Sequence, residues 1–418
     1  MSTPTGVNFN PTVPVDKGGI LYMTLVLHGL GAMIAWNMFI TAKDYFVKYK
    51  LKDSTYADRF LVYLGYASHT PNFLFSWFNV FIVLRGSLMI RIIVTLIMEV
   101  FIFVLTIFLA MVDSSGWADG FFWVTMVSVF FLHASNAVYQ NCVFGVAGRL
   151  PAKYTGAVVL GNNLCGTLVT LLNWVSASFG GSLKSSAIYY FIGGMVVFLA
   201  CLDSYFALPL NRFYRYYDSL QQKSSAAKEL GENSPKKIPY LMILKQCWVQ
   251  LYNVWLVFVV SIGIFPAIHS DIRSMGDFLG DNFVRVTCFL TFNFTALIGN
   301  ITANYFQYPT RRWLWVATTS RIAFIPLFLM CNYQPSGVTR TMRVVITSDA
   351  VYWVLSVLLG WTSGHFSSLA MMYVGGKVDP EYVHKAVMIG GAILITGILS
   401  GIALSGLGPT IVSMSIWG

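Results

Sequence analysis

Charged residues are scarce in this chain. They make up 11% of the 418 residues, and only 17 residues are acidic. A soluble domain carries about 25% charged residues, so this chain cannot cover a water-exposed surface with charge. With 56% hydrophobic residues, it has the composition of a protein that crosses a membrane many times. The net charge of +10 therefore does not indicate nucleic-acid binding, and basic residues are expected in the cytoplasmic loops.

Motifs for catalysis, metal binding or ATP binding are also missing. The sequence contains no His-Glu-x-x-His, no Gly-x-Ser-x-Gly and no phosphate-binding glycine loop. The cysteines show no Cys-x-x-Cys spacing and lie in or beside apolar runs, which is typical of buried packing residues. We therefore expect no enzyme activity, no cofactor and no metal. The six cysteines are Cys142, Cys165, Cys201, Cys247, Cys288 and Cys331.

Long apolar runs predict an all-α integral membrane protein with eleven transmembrane helices. A run of about 20 apolar residues is long enough to span a bilayer. Lysine and arginine counts in the loops favour a cytoplasmic N-terminus, although the first outer loop is also basic. Residues 1–17 lack the features of a signal peptide and are predicted to be a disordered tail. The spans are 18–41, 61–84, 88–112, 119–145, 154–179, 187–210, 247–269, 284–306, 313–331, 347–373 and 386–413.

One long polar break divides the spans into two bundles of six and five helices. The break, 211–240, is rich in serine and lysine, and we predict a largely disordered cytoplasmic loop. It separates residues 18–210 from residues 241–418. Many secondary transporters consist of two such bundles, with the substrate bound between them near the midplane. A receptor or a membrane enzyme could have the same loop, so this pattern alone leaves the function open.

Amide, imidazole and hydroxyl side chains recur inside the apolar runs. Because polar groups are costly in hydrocarbon, they are expected to face the protein interior or a substrate path. Amides both donate and accept hydrogen bonds, which suits an uncharged polyhydroxyl or heterocyclic solute. Aromatic side chains such as Trp36 and Phe265 could pack against a ring. The polar residues are His69, Asn72, Asn79, His133, Asn136, Gln140, Asn141, Asn162, Asn163, Asn173, Asn293, Thr295, Asn300, Asn304, Ser363, His365, Ser367 and Ser368.

Two charged residues and one glycine pair inside the spans have specific interpretations. Glu99 is either a buried hydrogen-bonding or ion-pair partner between helices or a proton-coupling site. Arg321 is predicted to be a structural ion-pair partner or an inner-gate residue. Gly397 and Gly401 form a small-xxx-small pair, which predicts close contact between two helices.

Several stretches together resemble the equilibrative nucleoside transporter family. Gly31–Asn37 resembles the family motif Gly-x-x-x-Pro-Trp-Asn, and Gln140 with Phe144–Pro151 resembles its fourth-span region. Each stretch is weakly specific, but together they cover nearly the whole chain in the family's order. The further stretches are Leu208–Leu210, Phe213–Tyr217, Phe265–Ala267, Phe289–Asn293, Arg321 with Phe324–Leu327, Cys331–Asn332 and Ser363–Gly364 with Ser368–Leu369.

The resemblance implies a major-facilitator-like fold with eleven spans and a cytoplasmic N-terminus. It implies facilitated diffusion of nucleosides, and sometimes nucleobases, by alternating access across a membrane, for which we expect the plasma membrane. It also implies that Trp36, Asn37 and Gln140 line the central cavity, with Gln140 bonded to the base. Met33 would lie beside the ring, and Phe265 would face it from the other half.

The eighth span departs from the family pattern. The family has an aspartate and an arginine that engage the sugar hydroxyls, and these positions are Ala296 and Asn300 here. Loss of both partners avoids a buried unpaired charge. We hypothesise that His69 and Asn72, with Asn300, rebuild a polar site from neutral groups.

Two other functions remain compatible with these residues. The first is a proton-coupled carrier of nucleosides or organic cations, with Glu99 as the titrating group. The second is a receptor-like member that binds a solute without transporting it. A membrane enzyme is a third reading, which the missing catalytic constellation argues against.

Overall fold

The protein is all-helical. The computed structural model describes residues 14–82, 88–229, 238–276, 279–280, 283–335 and 338–414, so most of the predicted N-terminal tail lies outside the described residues. Short 3-10 or π-helical turns join several helices, including Phe46–Lys50, Arg285–Leu290 and Arg321–Ala323. The α-helices are α1 Ile20–Thr41, α2 Lys43–Tyr45, α3 Phe60–Phe81, α4 Leu88–Met111, α5 Ala118–Ala147, α6 Lys153–Gly180, α7 Leu183–Ala207, α8 Arg212–Glu229, α9 Tyr240–Ile264, α10 Ala267–Ser270, α11 Thr291–Tyr305, α12 Leu314–Ser320, α13 Phe324–Met330, α14 Asp349–Tyr373, α15 Val383–Ser405 and α16 Leu407–Val412.

Eight helical segments of the described chain are long and apolar enough to cross a membrane. They are Lys17–Thr41, Leu88–Met111, Ala118–Ala147, Lys153–Gly180, Leu183–Leu210, Tyr240–Ser270, Arg285–Tyr305 and Val383–Val412. Three predicted spans correspond to helices outside this set. Helices α3 and α14 have spanning length but carry more polar residues, and the ninth predicted span is divided between α12 and α13.

The helices pack as two halves. In the first half, α1 packs on α6, and α5 packs on α3 and α4. In the second half, α11 packs on α14, and α9 packs on α15. A Cβ at Gly397 would lie 2.8 Å from the Trp255 carbonyl oxygen, and one at Gly401 would lie 3.0 Å from the Val259 carbonyl oxygen. The close helix contact predicted for this glycine pair is therefore present, and it joins α15 to α9.

The disorder predicted for the loop 211–240 is wrong for residues 212–229. They form α8, and Asn211 caps it because its Oδ1 accepts hydrogen bonds from the amides of Phe213 (2.9 Å) and Tyr214 (3.2 Å). The guanidinium of Arg149 lies 3.5 Å from the carboxylate of Asp218, which ties α8 to the end of α5. Residues 230–237 of this loop lie outside the described residues.

Two hydrogen bonds join the halves at one end of the bundle. We call the end that holds Ile20 the proximal end and the opposite end the distal end. At the proximal end, the Asn304 amide donates to the Tyr22 hydroxyl (3.0 Å), and the Tyr240 hydroxyl donates to the Val80 carbonyl (2.7 Å). Both bonds join a first-half residue to a second-half residue, so the proximal end is closed.

Candidate functional site

The Trp36 side chain of helix α1 lies against α3 and α5. The Trp36 ring lies 4.4 Å from the His69 ring and 6.3 Å from the His133 ring, measured between centroids. Met33, Trp36 and Asn37 are half-buried. The structure therefore brings together two predicted site residues, Trp36 and His69, and adds His133.

One face of α5 carries polar side chains that the described residues leave without hydrogen bonds. His133, Asn136 and Gln140 are spaced at i, i+3 and i+7, which places them on the same side of a helix. Gln140 is fully buried, and neither its amide oxygen nor its amide nitrogen has a partner. Both His133 ring nitrogens are likewise buried and unpartnered, whereas the Asn136 amide lies beside the Glu99 carboxyl.

This unused hydrogen-bonding capacity needs a physical reason. An unsatisfied buried polar group costs about 1–3 kcal/mol, so folding alone would favour apolar residues here. Asn72 on α3 adds a further buried oxygen with no partner in the described chain. A ligand that both donates and accepts hydrogen bonds would satisfy these atoms. The set is neutral, which suits an uncharged solute.

The Asn37 side chain lies near a residue of the second half. Its amide nitrogen donates to the Met33 carbonyl (2.9 Å) and to the Cys165 sulfur on α6 (3.7 Å). A Cβ built at Gly166 on α6 would lie 3.9 Å from the Asn37 Oδ1 and 3.5 Å from the Asn293 Oδ1. Asn293, on α11, is thus the second-half amide that approaches Asn37.

Asn300 is held inside the second half. Its side chain is fully buried, its amide nitrogen donates to the Ala296 carbonyl (2.8 Å), and its oxygen accepts from the Ser368 hydroxyl (2.7 Å). A Cβ at Gly364 would lie 1.9 Å from the Ala296 carbonyl oxygen, so α11 and α14 touch backbone to backbone here. The structure does not bring Asn300 together with His69 and Asn72.

Phe265 lies where α9 ends, towards the distal end. Its ring stacks on the Phe292 ring at 4.0 Å with an interplanar angle of 10°, and it is half-buried. The stack fixes its orientation on the second half.

The ion pair predicted for Arg321 is absent from the described residues. Its guanidinium donates instead to the Val257 carbonyl (2.9 Å), the Ser261 hydroxyl (2.9 Å) and the Thr362 hydroxyl (3.1 Å). A weaker bond reaches the Leu359 carbonyl (3.4 Å). Neutral oxygens from α9 and α14 surround the charge, so Arg321 joins these two helices without a carboxylate.

Glu99 lies inside the first half. It is fully buried on α4, neither carboxyl oxygen has a hydrogen-bond partner in the described chain, and Asn136 is the polar neighbour beside it. Tyr139 and Cys201 also face this group. No basic side chain is paired with Glu99, so the ion-pair interpretation is wrong for the described residues.

Comparison with known proteins identifies the family. The model of a family described as nucleoside transporters matches residues 126–407. This chain belongs to the nucleoside transporter family. Membership makes it a transporter and not an enzyme, and it confirms the resemblance found in the sequence. With the helices described above, it also makes the chain a multi-pass integral membrane protein.

Relatives match along nearly the whole chain. Equilibrative nucleoside transporter 3 of Rattus norvegicus is 29% identical, over 90% of this chain and 86% of its own length. Equilibrative nucleoside transporter 1 of Homo sapiens is 28% identical, over 94% of this chain and 96% of its own length. A solved structure of the major facilitator superfamily proton:xylose symporter XylE superposes with a TM-score of 0.63 at 10% identity, covering 95% of this chain and 90% of that one. This likeness confirms the major-facilitator-like fold.

Three residues that lie near predicted site residues were among the intramembrane polar residues but not among the predicted site residues. His133 and Asn136 share the face of Gln140, and their spacing in the sequence is the signal that could have selected them. Asn293 had no such signal, because nothing in the sequence shows that it, and not Asn300, approaches the first half.

Proposed function

We propose that this protein carries nucleosides across the plasma membrane by facilitated diffusion, with nucleobases as further substrates. Membership of the family supports transport of nucleosides. The observation that carries the site is Gln140, a fully buried amide on α5 whose donor and acceptor are both unpartnered in the described chain. A base edge offers the complementary acceptor and donor.

In this proposal the substrate lies between the halves. Gln140 bonds the base, Trp36 and Met33 pack against the ring, and Asn37, His69 and Asn72 face the sugar. Phe265 and Asn293 contribute from the second half. Asn300 is assigned to the contact between α11 and α14, since both of its polar atoms are already bonded.

The proposed topology has eleven spans and a cytoplasmic N-terminus. Helix α3, helix α14 and the pair α12–α13 would add three spans to the eight apolar segments. Their polar residues would face the protein interior. The proximal end is then cytoplasmic, and the Tyr22–Asn304 and Tyr240–Val80 bonds close it. Transport requires these bonds to open while the distal ends close.

Counterflow in proteoliposomes tests the proposal. Vesicles loaded with unlabelled uridine should accumulate labelled uridine and adenosine without an ion gradient, with saturable kinetics. Gln140→Ala should abolish most of this flux, whereas Gln334→Ala, an exposed glutamine in a distal connection, should leave it unchanged. Absence of saturable flux for uridine, adenosine and adenine would exclude this function.

A further inference from the structure

Helix α6 lies between α1 and α11, where the two halves face each other. A Cβ at Gly29 of α1 would lie 2.1 Å from the Val158 carbonyl oxygen, so α1 and α6 touch backbone to backbone. A Cβ at Gly156 of α6 would lie 3.2 Å from the Asn304 Oδ1 of α11. Helix α6 therefore contacts a first-half helix on one side and a second-half helix on another.

Asn162 on α6 lies level with Met33 on α1. Both helices begin at the proximal end, so they run parallel to each other. Asn162 follows Val158 by four residues, and Met33 follows Gly29 by four residues. A helix rises about 1.5 Å per residue, so Asn162 and Met33 are equally far from the contact between Gly29 and Val158. Met33 is one of the predicted site residues, and Asn162 is therefore at the depth of that site.

Asn162 also faces the gap between the halves. It shares a face of α6 with Gly166, the residue four positions further on. A Cβ at Gly166 would lie 3.9 Å from the Asn37 Oδ1 of α1 and 3.5 Å from the Asn293 Oδ1 of α11. This face is thus turned towards α1 and α11 together, and Asn162 lies one helical turn, about 5.4 Å, to the proximal side of Gly166.

The amide oxygen of Asn162 is available to a ligand. It is buried and has no hydrogen-bond partner in the described chain, whereas the residue as a whole is half-buried. The next residue, Asn163, carries the same amide, but its nitrogen donates to the Val159 carbonyl (3.2 Å). A buried acceptor without a partner costs stability, and a ligand that donates a hydrogen bond would remove that cost.

We propose that Asn162 is a further substrate-contacting residue, and that its Oδ1 accepts a hydrogen bond from a sugar hydroxyl. The inference rests on the proposed function, which places the sugar against Asn37. The Asn37 amide donates to the sulfur of Cys165 (3.7 Å), which follows Asn162 by three residues on α6, so both amides lie where α1 meets α6. Gln140, assigned to the base, is on α5. Asn162 therefore makes recognition depend on the sugar and not on the base.

Uptake of uridine by the full-length protein in proteoliposomes tests this contact. Asn162→Ala should lower kcat/KM for uridine about threefold to tenfold, which is the effect of losing one neutral hydrogen bond. Asn162→Leu keeps most of the side-chain volume without the polar atoms and should show the same loss. Asn173→Ala, at an exposed asparagine about three turns further along α6, should transport uridine like the wild type.

Uridine analogues that each lack one hydroxyl identify the atom that is bound. In the wild type, one of 2′-deoxyuridine, 3′-deoxyuridine and 5′-deoxyuridine should have a kcat/KM about threefold to tenfold below that of uridine. Asn162→Ala should transport that analogue as well as the wild type does, because the bond is already missing.

The possible outcomes separate this inference from the function on which it rests. An equal loss for uridine and all three analogues in Asn162→Ala, or no loss for uridine, would overturn the contact with a sugar hydroxyl while nucleoside transport stands. Absence of saturable uridine flux in the wild type is a different result, and it would overturn the proposed function and this inference together.

Discussion

The two halves differ in how many of their buried polar groups have hydrogen-bond partners in the described chain. In the second half, Arg321 bonds carbonyl and hydroxyl oxygens of α9 and α14, and Asn300 bonds Ser368. In the first half, Gln140 and His133 have no partner in the described chain. The second half also has unpartnered atoms, at Gln246, His269, Asn304 and His384.

This difference indicates which buried polar groups stabilise the fold and which are available to bind a substrate. A bonded buried polar group rigidifies the bundle that holds it, whereas an unbonded one costs stability until a ligand satisfies it. The first half therefore carries most of the recognition capacity in the proposed carrier, and the second half supplies a rigid body that moves against it. Each of the following variants challenges or refines this division.

The largest effect is expected for Arg321→Ala. Removing the guanidinium leaves the Val257 carbonyl and the Ser261 and Thr362 hydroxyls without that donor. A hydrogen bond to a charged group contributes about 1.5–3 kcal/mol, and at least three are lost, so the variant should melt far below the wild type or fail to fold. Arg312→Ala, at an exposed arginine nearby, should melt like the wild type. Unchanged melting of Arg321→Ala would mean that this network does not hold α9 to α14.

Gln140→Ala should affect substrate recognition more than folding stability. Loss of two neutral hydrogen bonds, each worth about 0.5–1.5 kcal/mol, should lower kcat/KM for uridine about tenfold or more. The Tm should fall less than in a variant that breaks hydrogen bonds, because the amide has no hydrogen-bond partner among the described residues. Asn253→Ala is the matched second-half variant, since Asn253 bonds both Gln250 and Thr318, and its Tm should fall. A fall in Tm for Gln140→Ala as large as that for Asn253→Ala would contradict the division.

Asn293→Ala and Asn300→Ala should have smaller effects, one on substrate binding and the other on stability. Asn293→Ala removes the amide that approaches Asn37 beside Gly166, so it should raise KM a few-fold without changing the Tm. Asn300→Ala breaks the bond with Ser368 and should lower stability by about 1 kcal/mol. Substrate-protected melting and uptake measured on the same preparations distinguish the two. A raised KM for Asn300→Ala with unchanged stability would indicate that Asn300 contacts the substrate.

Glu99→Gln should have the smallest effect on transport. Glutamine has the same shape, and facilitated diffusion needs no titrating carboxyl. Uridine uptake should therefore keep its rate and its response to external pH. A loss of pH-dependent uptake in this variant alone would make Glu99 a proton-coupling residue and would favour the proton-coupled alternative.

The sequence alone predicted the helices, one close helix contact and the family of this protein. The apolar runs predicted a helix at each of eleven positions, because helix length and composition are properties of a contiguous segment. The pair Gly397 and Gly401 predicted a close helix contact, since only small residues permit it. The stretches around Gly31–Asn37 and Gln140 predicted the family, which the family match confirms.

The tertiary structure decided which polar atoms are already bonded. Sequence shows that Gln140, Asn300 and Arg321 are polar and lie in apolar runs, but it does not show how each helix is rotated. The contact of α11 with α14 buries Asn300 against Ser368, and the contact of α9 with α14 surrounds Arg321 with neutral oxygens. Hydrogen bonds are short and directional, so a small rotation of one helix changes its partners. Only packing could therefore separate the residues that hold the bundle from those left for a substrate.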